Sequence, residues 1–193
     1  MSERHQHHVL WHCDLLASAE HVSLLTVGND RMAVEGRCVM PLGDVPCDIE
    51  YRMGVDLGIE TVHLEATIHA NGHKREVAVD VDHGAWTLDG APDEKLAGCT
   101  HLDLGWTPIT NTVALRSIGL DLAVGESATV TSARFRFPEL RFEPEEQIYT
   151  RESEDTWRYQ GGPFEYVLTV DPETGIVTEY GDDLWKSVAA TRT

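Results

Sequence analysis

Apolar and polar positions alternate with a period of two along much of the chain, the signature of strands with one covered face. Between 32 and 40 the apolar set is Met32, Val34, Cys38 and Met40, with Glu35 and Arg37 between them. From 47 to 55, Cys47, Ile49, Tyr51, Met53 and Val55 alternate with Asp48, Glu50 and Arg52. The pattern returns at Val62, Leu64, Ala66 and Ile68, and again at Val77, Val79 and Val81. Four such segments predict antiparallel sheet covered on one side. Asn71-Gly72 predicts a tight hairpin between two of them, and His83-Gly84 and Glu173-Thr174-Gly175 predict further turns. Later strands are expected over 99–106, 126–137, 146–151, 156–160, 164–171 and 175–180. Helix is scarce. Thr107-Pro108 opens and Gly119 closes one short candidate, although Ile109, Val113, Leu115 and Ile118 make no clean stripe. A second short helix is expected after Asp182, through Leu184, Trp185 and Val188.

Ten or more antiparallel strands curl or close rather than stay flat. The predicted fold is therefore mainly β: a strongly curved antiparallel sheet, a roll or half-barrel, with little helix. Residues 79–90 echo residues 168–181. Each reads strand, Asp, a turn with Gly, strand, Gly, and each follows a segment with Tyr and Arg (Tyr51-Arg52 and Tyr149-Thr-Arg151). An internal duplication accounts for both, and so does chance convergence of two hairpins on the same turn residues. A concave apolar face then packs on itself or encloses a cavity for an apolar small molecule.

Composition narrows the class. At 193 residues, with 41% hydrophobic and 25% charged positions, the chain fits one globular domain. Its expected extent is 10–188, between a disordered His-rich terminus (1–9) and a tail (189–193). No apolar run approaches the roughly 20 residues of a membrane-spanning helix. Thirty-three acids against 15 bases give −18, and only Lys74, Lys95 and Lys186 are lysines. That balance disfavours nucleic acid and anionic bilayers, which need Lys and Arg to displace counterions. The first residues show no apolar stretch with a cleavage site, so no signal peptide is expected and the cytoplasm is the default location. Cys13, Cys38, Cys47 and Cys99 are scattered and read as reduced, buried thiols.

Catalytic and cofactor templates are missing: no Gly-x-Ser-x-Gly elbow, dinucleotide or phosphate loop, or His-Glu-x-x-His. No cofactor is expected. His5, His7, His8, His12, Cys13 and His21 match no zinc module, so no metal site is expected either. Cys99 beside His101 reads as buried thiol rather than nucleophile. The densest stretch is 98–116. Asp103, Trp106, Thr107, Thr110, Asn111 and Arg116 offer hydroxyl, amide and charged groups beside an aromatic ring, a set suited to a hydroxyl-rich ligand. Thr and Asn also cap helices and satisfy turns, so a purely local role competes.

The same stretch, Leu102-Asp-Leu-Gly-Trp-Thr-Pro-Ile-Thr-Asn-Thr-Val-Ala-Leu-Arg116, resembles the signature of the bacterial family named "Putative glycolipid-binding", formerly a domain of unknown function. Trp86-Thr-Leu-Asp-Gly90, Ile49-Glu-Tyr-Arg52, Phe137-Pro-Glu-Leu140, Gln147-Ile-Tyr149, Trp157-Arg-Tyr159 and the hairpin around Val170 to Tyr180 match its other segments in order. The resemblance covers about 10–188. It implies a duplicated spiral β-roll similar to lipoprotein-carrier half-barrels. Ala114 stands where the family has Pro, and Ser117 replaces an Arg that would pair with an anion.

The leading expectation is a non-enzymatic protein holding a lipid or glycolipid-like molecule. Asp103, Trp106, Thr107, Thr110, Asn111 and Arg116 would stand at the rim, with Tyr51, Arg52, Trp86, Tyr149 and Tyr159 in the wall. Two readings compete: an enzyme using Asp103 as acid or base and Arg116 as anion clamp, or a structural module packing on a second copy. The sequence leaves the oligomeric state open.

Overall fold

The computed structural model describes residues 4–28, 30–57, 61–137, 139–181 and 184–192. The chain, expected as one domain over 10–188, divides into two compact units, residues 1–97 with 187–193 and residues 98–186. The first unit begins with eight strands, β1 (Arg4–Cys13), β2 (Ser18–Val27), β3 (Arg31–Leu42), β4 (Val45–Asp56), β5 (Thr61–Ala70), β6 (His73–Asp82), β7 (Ala85–Leu88) and β8 (Ala91–Pro92). Each pairs antiparallel with the next, and β8 ends the strand order. The alternation read from sequence becomes one buried face, including Trp11, Val22, Leu24, Val34, Ile49, Leu64, Ile68 and Val79.

The second unit holds β9 (His101–Asp103), a helix α1 (Ile109–Ile118), β10 (Ser127–Arg136), β11 (Arg141–Arg151), β12 (Thr156–Gly161), β13 (Phe164–Val170) and β14 (Val177–Tyr180). Strands β10 to β14 form an antiparallel meander, while β9 runs parallel to β10 and ends the order. Strand β15 (Trp185–Arg192) pairs through Trp185 and Lys186 with β14 and is next to β1 in the strand order. Ala114 and Leu115 of α1 pack with Val130, Tyr149, Trp157, Tyr159, Leu168, Val170 and Val177 to make the core of this unit.

Three expectations change. The His-rich segment is not a disordered tail: from Arg4 it is strand, paired along its whole length with β2. The expected C-terminal helix is strand β15, which also takes up most of the expected tail; Asp182 lies outside the described residues. The expected strand over 99–106 shrinks to three residues. The helix after Thr107-Pro108 does form. Thr107 Oγ1 accepts from the Ile109 N–H at 3.1 Å, and Gly119, at φ +101°, closes it with its N–H on the Leu115 carbonyl. It lacks an apolar stripe because Ile109 to Leu115 are all buried, Thr110, Asn111 and Thr112 included.

The two echoing segments occupy equivalent hairpins. Val79 faces Leu88 across β6 and β7, and Leu168 faces Tyr180 across β13 and β14. In both, the next residue (Asp89 or Gly181) donates its N–H to the carbonyl preceding the first strand's apolar residue (Ala78 or Val167), each at 2.8 Å. Among the described residues no helix is long and apolar enough to cross a membrane.

Candidate functional site

The inner face of the second unit is unusual for a β core because polar side chains run through it. Pairing puts Ser132 opposite Glu145 and Val130 opposite Gln147, so one face of β10 and β11 carries Ser132, Arg134, Glu145, Gln147 and Tyr149. β9 adds Asp103 opposite Arg134, and α1 adds Asn111. Asn111 Nδ2 donates to the Tyr149 hydroxyl at 3.0 Å, and Ser132 Oγ donates to Gln147 Oε1 at 2.8 Å. Gln147 Nε2 donates to Asp103 Oδ2 at 2.6 Å, while Asp103 Oδ1 accepts from the Gly105 N–H at 2.8 Å. Arg134 Nε lies 3.7 Å from Asp103, and its NH1 donates to Glu145 Oε2 at 2.6 Å. Arg136 NH2 takes Glu145 Oε1 at 2.7 Å. Every group in this chain has a partner, which is the condition for carrying charge and amide into a core.

Electrostatics follow from the pairing. Burial alone would raise the Glu145 carboxyl, but hydrogen bonds and charge from Arg134 and Arg136 outweigh it and hold the carboxyl below its usual range. Burial likewise opposes charge on Arg134, yet Asp103 and Glu145 hold its proton more firmly than usual. Burial first, then neighbouring hydroxyls and Asp103, push the phenols of Tyr149 and Tyr180 well up. His101 is pushed down to about 4 by burial, its Nε2 without a hydrogen-bond partner among the described residues and its Nδ1 2.8 Å from Thr100 Oγ1.

Aromatic rings lead outward from this chain. Tyr149 meets Tyr159 at 5.3 Å, Tyr159 meets Tyr180 at 6.0 Å, Tyr180 meets Tyr166 at 5.2 Å, and Tyr166 stacks with Phe164 at an interplanar angle of 14°. Tyr149 is buried and Phe164 is 41% exposed. The Arg134 guanidinium lies 5.5 Å from the Phe164 ring centre. The inner polar chain and the surface are thus joined by rings, with two guanidiniums and one carboxylate beside them.

Of the residues singled out from sequence, Asp103, Asn111, Tyr149 and Tyr159 come together here. Those expected at a rim are mostly buried. Trp106 packs edge-on against Phe135 and Phe137, away from the network's face. Thr107 and Thr110 serve the start of α1, Thr110 Oγ1 donating to the Thr107 carbonyl at 3.4 Å. Arg116 donates to the Thr174 carbonyl at 2.9 Å, fixing the turn between β13 and β14. In the first unit Tyr51 is buried and donates to Glu20 Oε1 at 2.6 Å; Arg52 is exposed 3.4 Å from Glu35, and Trp86 is core. Asp103 and Arg116, the pair the enzyme reading requires, are thus engaged with different partners.

Sequence reasoning missed Arg134, Arg136, Glu145 and Gln147. The signal was present, since Ser132, Arg134 and Arg136 share one strand parity and Glu143, Glu145 and Gln147 share another. The expected strand over 146–151 began too late to show it, because β11 starts at Arg141. All four cysteines are buried, and none is in a disulfide. Among the described residues no group of three or more His, Cys, Asp or Glu side chains is placed to hold a metal ion.

No curated protein matches the chain. Its fold is similar to the crystal structure of a DUF1089 family protein from Pseudomonas aeruginosa, with a TM-score of 0.70 over 86% of this chain and 90% of that one, at 24% identity. A family model described as "Putative glycolipid-binding" matches residues 8–186, from the His-rich first strand to the start of the last. With nearly the whole chain matched, the protein belongs to that family.

Proposed function

We propose that the protein binds a lipid or glycolipid-like molecule and that the inner face of the second unit contacts its sugar. The observation that carries this reading is the join between the buried polar chain and the rings reaching Phe164. Sugar recognition combines an apolar ring face with paired hydrogen-bonding groups, and here Phe164, Tyr166 and Tyr180 stand beside Arg134, Arg136 and Glu145. The family's description agrees with the reading. Glu145 accepts at both oxygens, so its part is to orient the guanidiniums rather than to take a proton.

The test is native mass spectrometry of the purified protein, followed by solvent extraction and lipid analysis. A stoichiometric glycolipid is the expected result. Phe164→Ala, at an exposed ring, should then lower its occupancy about tenfold, the equivalent of one stacking contact. A clean apo mass, with no gain after incubation with mixed bacterial lipids, overturns the reading.

A further inference from the structure

At one end of the first unit two neighbouring connections expose apolar side chains. The β1–β2 connection is Asp14-Leu15-Leu16-Ala17, closed by the Ala17 N–H on the Asp14 carbonyl at 3.2 Å. Tight turns favour Gly, Asn, Asp and Pro. Here Leu15 is 70% and Leu16 40% exposed, and Ala17 holds φ +48°, a left-handed conformation that glycine adopts at less cost. The β3–β4 hairpin projects beside this turn. Pairing of β2 with β3 ends at Ala19 and Val39, and pairing of β4 with β5 ends at Cys47 and Ala70. Residues Pro41 to Pro46 therefore extend past both neighbours as a two-stranded arm, with Val39, 48% exposed, near its root. Pro41 and Pro46 are register partners and neither has an N–H, so the arm is ill suited to gaining a further strand.

Turn and arm enclose a cleft of about 510 Å³ with apolar walls from Ala17, Val39, Met40, Pro41 and Pro46. Its size suits a short segment rather than the face of a folded domain. Charge then selects the occupant. Asp44, Asp48 and His69 also line the cleft, and Asp14 stands beside Leu15, its side chain 91% exposed and 3.6 Å from His12 Nε2. Arg37 neutralises Asp48 through two hydrogen bonds of 3.0 and 2.7 Å. Asp44, at the tip of the arm, is exposed. Among the described residues no Lys or Arg lines the cleft. A second copy of this chain, at −18, would set carboxylate against carboxylate. A bilayer would have to take in Asp14 and Asp44 together with the leucines, against the cost of stripping their water. A basic segment with an aliphatic side chain satisfies both the walls and the carboxylates.

We propose that this end of the first unit docks a short basic segment of another protein, an aliphatic side chain in the cleft and flanking Lys or Arg on Asp14 and Asp44. The proposal shares no residue with the ring platform of the second unit and does not rest on the sugar reading.

The experiment titrates the full-length protein with three capped peptides, Lys-Leu-Leu-Lys, Glu-Leu-Leu-Glu and Lys-Ser-Ser-Lys, reading methyl chemical shifts of Leu15, Leu16 and Val39. Lys-Leu-Leu-Lys should saturate these shifts, and each comparison peptide should bind about tenfold more weakly, one having lost the charge match and the other the apolar contact. Asp14→Asn with Asp44→Asn should weaken Lys-Leu-Leu-Lys about tenfold and blunt its response to salt. Leu15→Ser with Leu16→Ser, both at exposed turn positions, should weaken it by about the same factor at Val39, whereas Phe164→Ala should leave it unchanged. Equal binding of either comparison peptide overturns the assigned occupant. No saturable shift with any peptide, or binding indifferent to both double variants, overturns the site. Broadening of the same methyl signals by phosphatidylcholine vesicles, with no response to Lys-Leu-Leu-Lys, assigns the patch to a bilayer and overturns the proposal equally.

Discussion

Both units lay a tyrosine over a glycine, but they surround it differently. In the first, Tyr51 of β4 lies across Gly36, its register partner on β3, and its hydroxyl reaches the buried carboxyl of Glu20 on β2. In the second, Tyr159 turns back over Gly161 two residues along its own strand, and Glu145 lies against the same glycine. The first unit therefore buries a carboxyl–phenol contact in a mainly apolar face that also carries His7, Ser18 and Thr26. The second embeds two carboxylates, two guanidiniums and two amides. A helix explains much of the difference: α1 delivers Asn111 to Tyr149 and Thr112 to the Val177 N–H, giving polar strand positions partners that a lone sheet face does not supply. A curved sheet can be covered apolarly or polarly, and the choice is made by what covers it.

The largest effect should come from breaking the polar interior. Arg134→Ala strips Glu145 and Asp103 of their shared cation and should cost about 3–5 kcal/mol in urea unfolding. Arg37→Ala in the first unit, whose ion pairs are exposed, should leave the urea midpoint nearly unmoved. A cost for Arg134→Ala as small as that for Arg37→Ala would erase the contrast between the two interiors.

Next come the glycines. Gly36→Ala and Gly161→Ala should each lose about 1–3 kcal/mol through overpacking. They differ in rescue. The obstacle at Gly161 is chiefly the Tyr159 hydroxyl, so adding Tyr159→Phe should restore part of the loss. At Gly36 the obstacle is the ring itself, so adding Tyr51→Phe should restore none. Equal rescue at both would show that the two tyrosines are placed alike. Tyr149→Phe, which leaves the Asn111 amide without its acceptor, should cost about 1–3 kcal/mol on its own.

The pH response is smaller and belongs to the second unit. His101 holds its proton less well in the folded chain (about 4) than in the unfolded one, so the unfolded state binds more protons between about 4 and about 6.5. Stability should fall as pH drops through that window, and His101→Asn should flatten the fall. The lowered Glu145 pKa adds stability above its unfolded value near 4.3, lost at still lower pH as the folded carboxyl protonates. Urea midpoints at pH 7, 5 and 3.5 check both. A His101→Asn profile parallel to that of the parent chain would remove histidine from the account.

Alternation made β3 to β6 legible because each keeps apolar residues on one side and charge on the other. β2 was illegible for the opposite reason. Its buried side carries Ser18, Glu20 and Thr26 beside Val22 and Leu24, while Leu25 and Val27 face outward, so no clean period survives. The start of β11 was hidden in the same way by Glu143, Pro144 and Glu145. In the candidate site, Asp103, Asn111, Tyr149 and Tyr159 were found because they lie in motif-bearing or aromatic segments. Their partners were lost because a charged residue in a strand reads as solvent-facing unless its cross-strand partner is known. Sequence alternation reports the face a residue takes only when that face is apolar.

The two strands that end the order are β8, two residues long and finishing at Pro92, and β9, three residues long. An outermost strand presents bare N–H and C=O groups on which an extended segment from a neighbouring molecule can add another rung. Pro92 has no N–H to offer, and neither strand is long enough to hold a register. Fibril-like growth by strand addition is therefore blocked at both margins. Extending β9, or replacing Pro92 with a β-branched residue, should bring concentration-dependent aggregation without altering either interior.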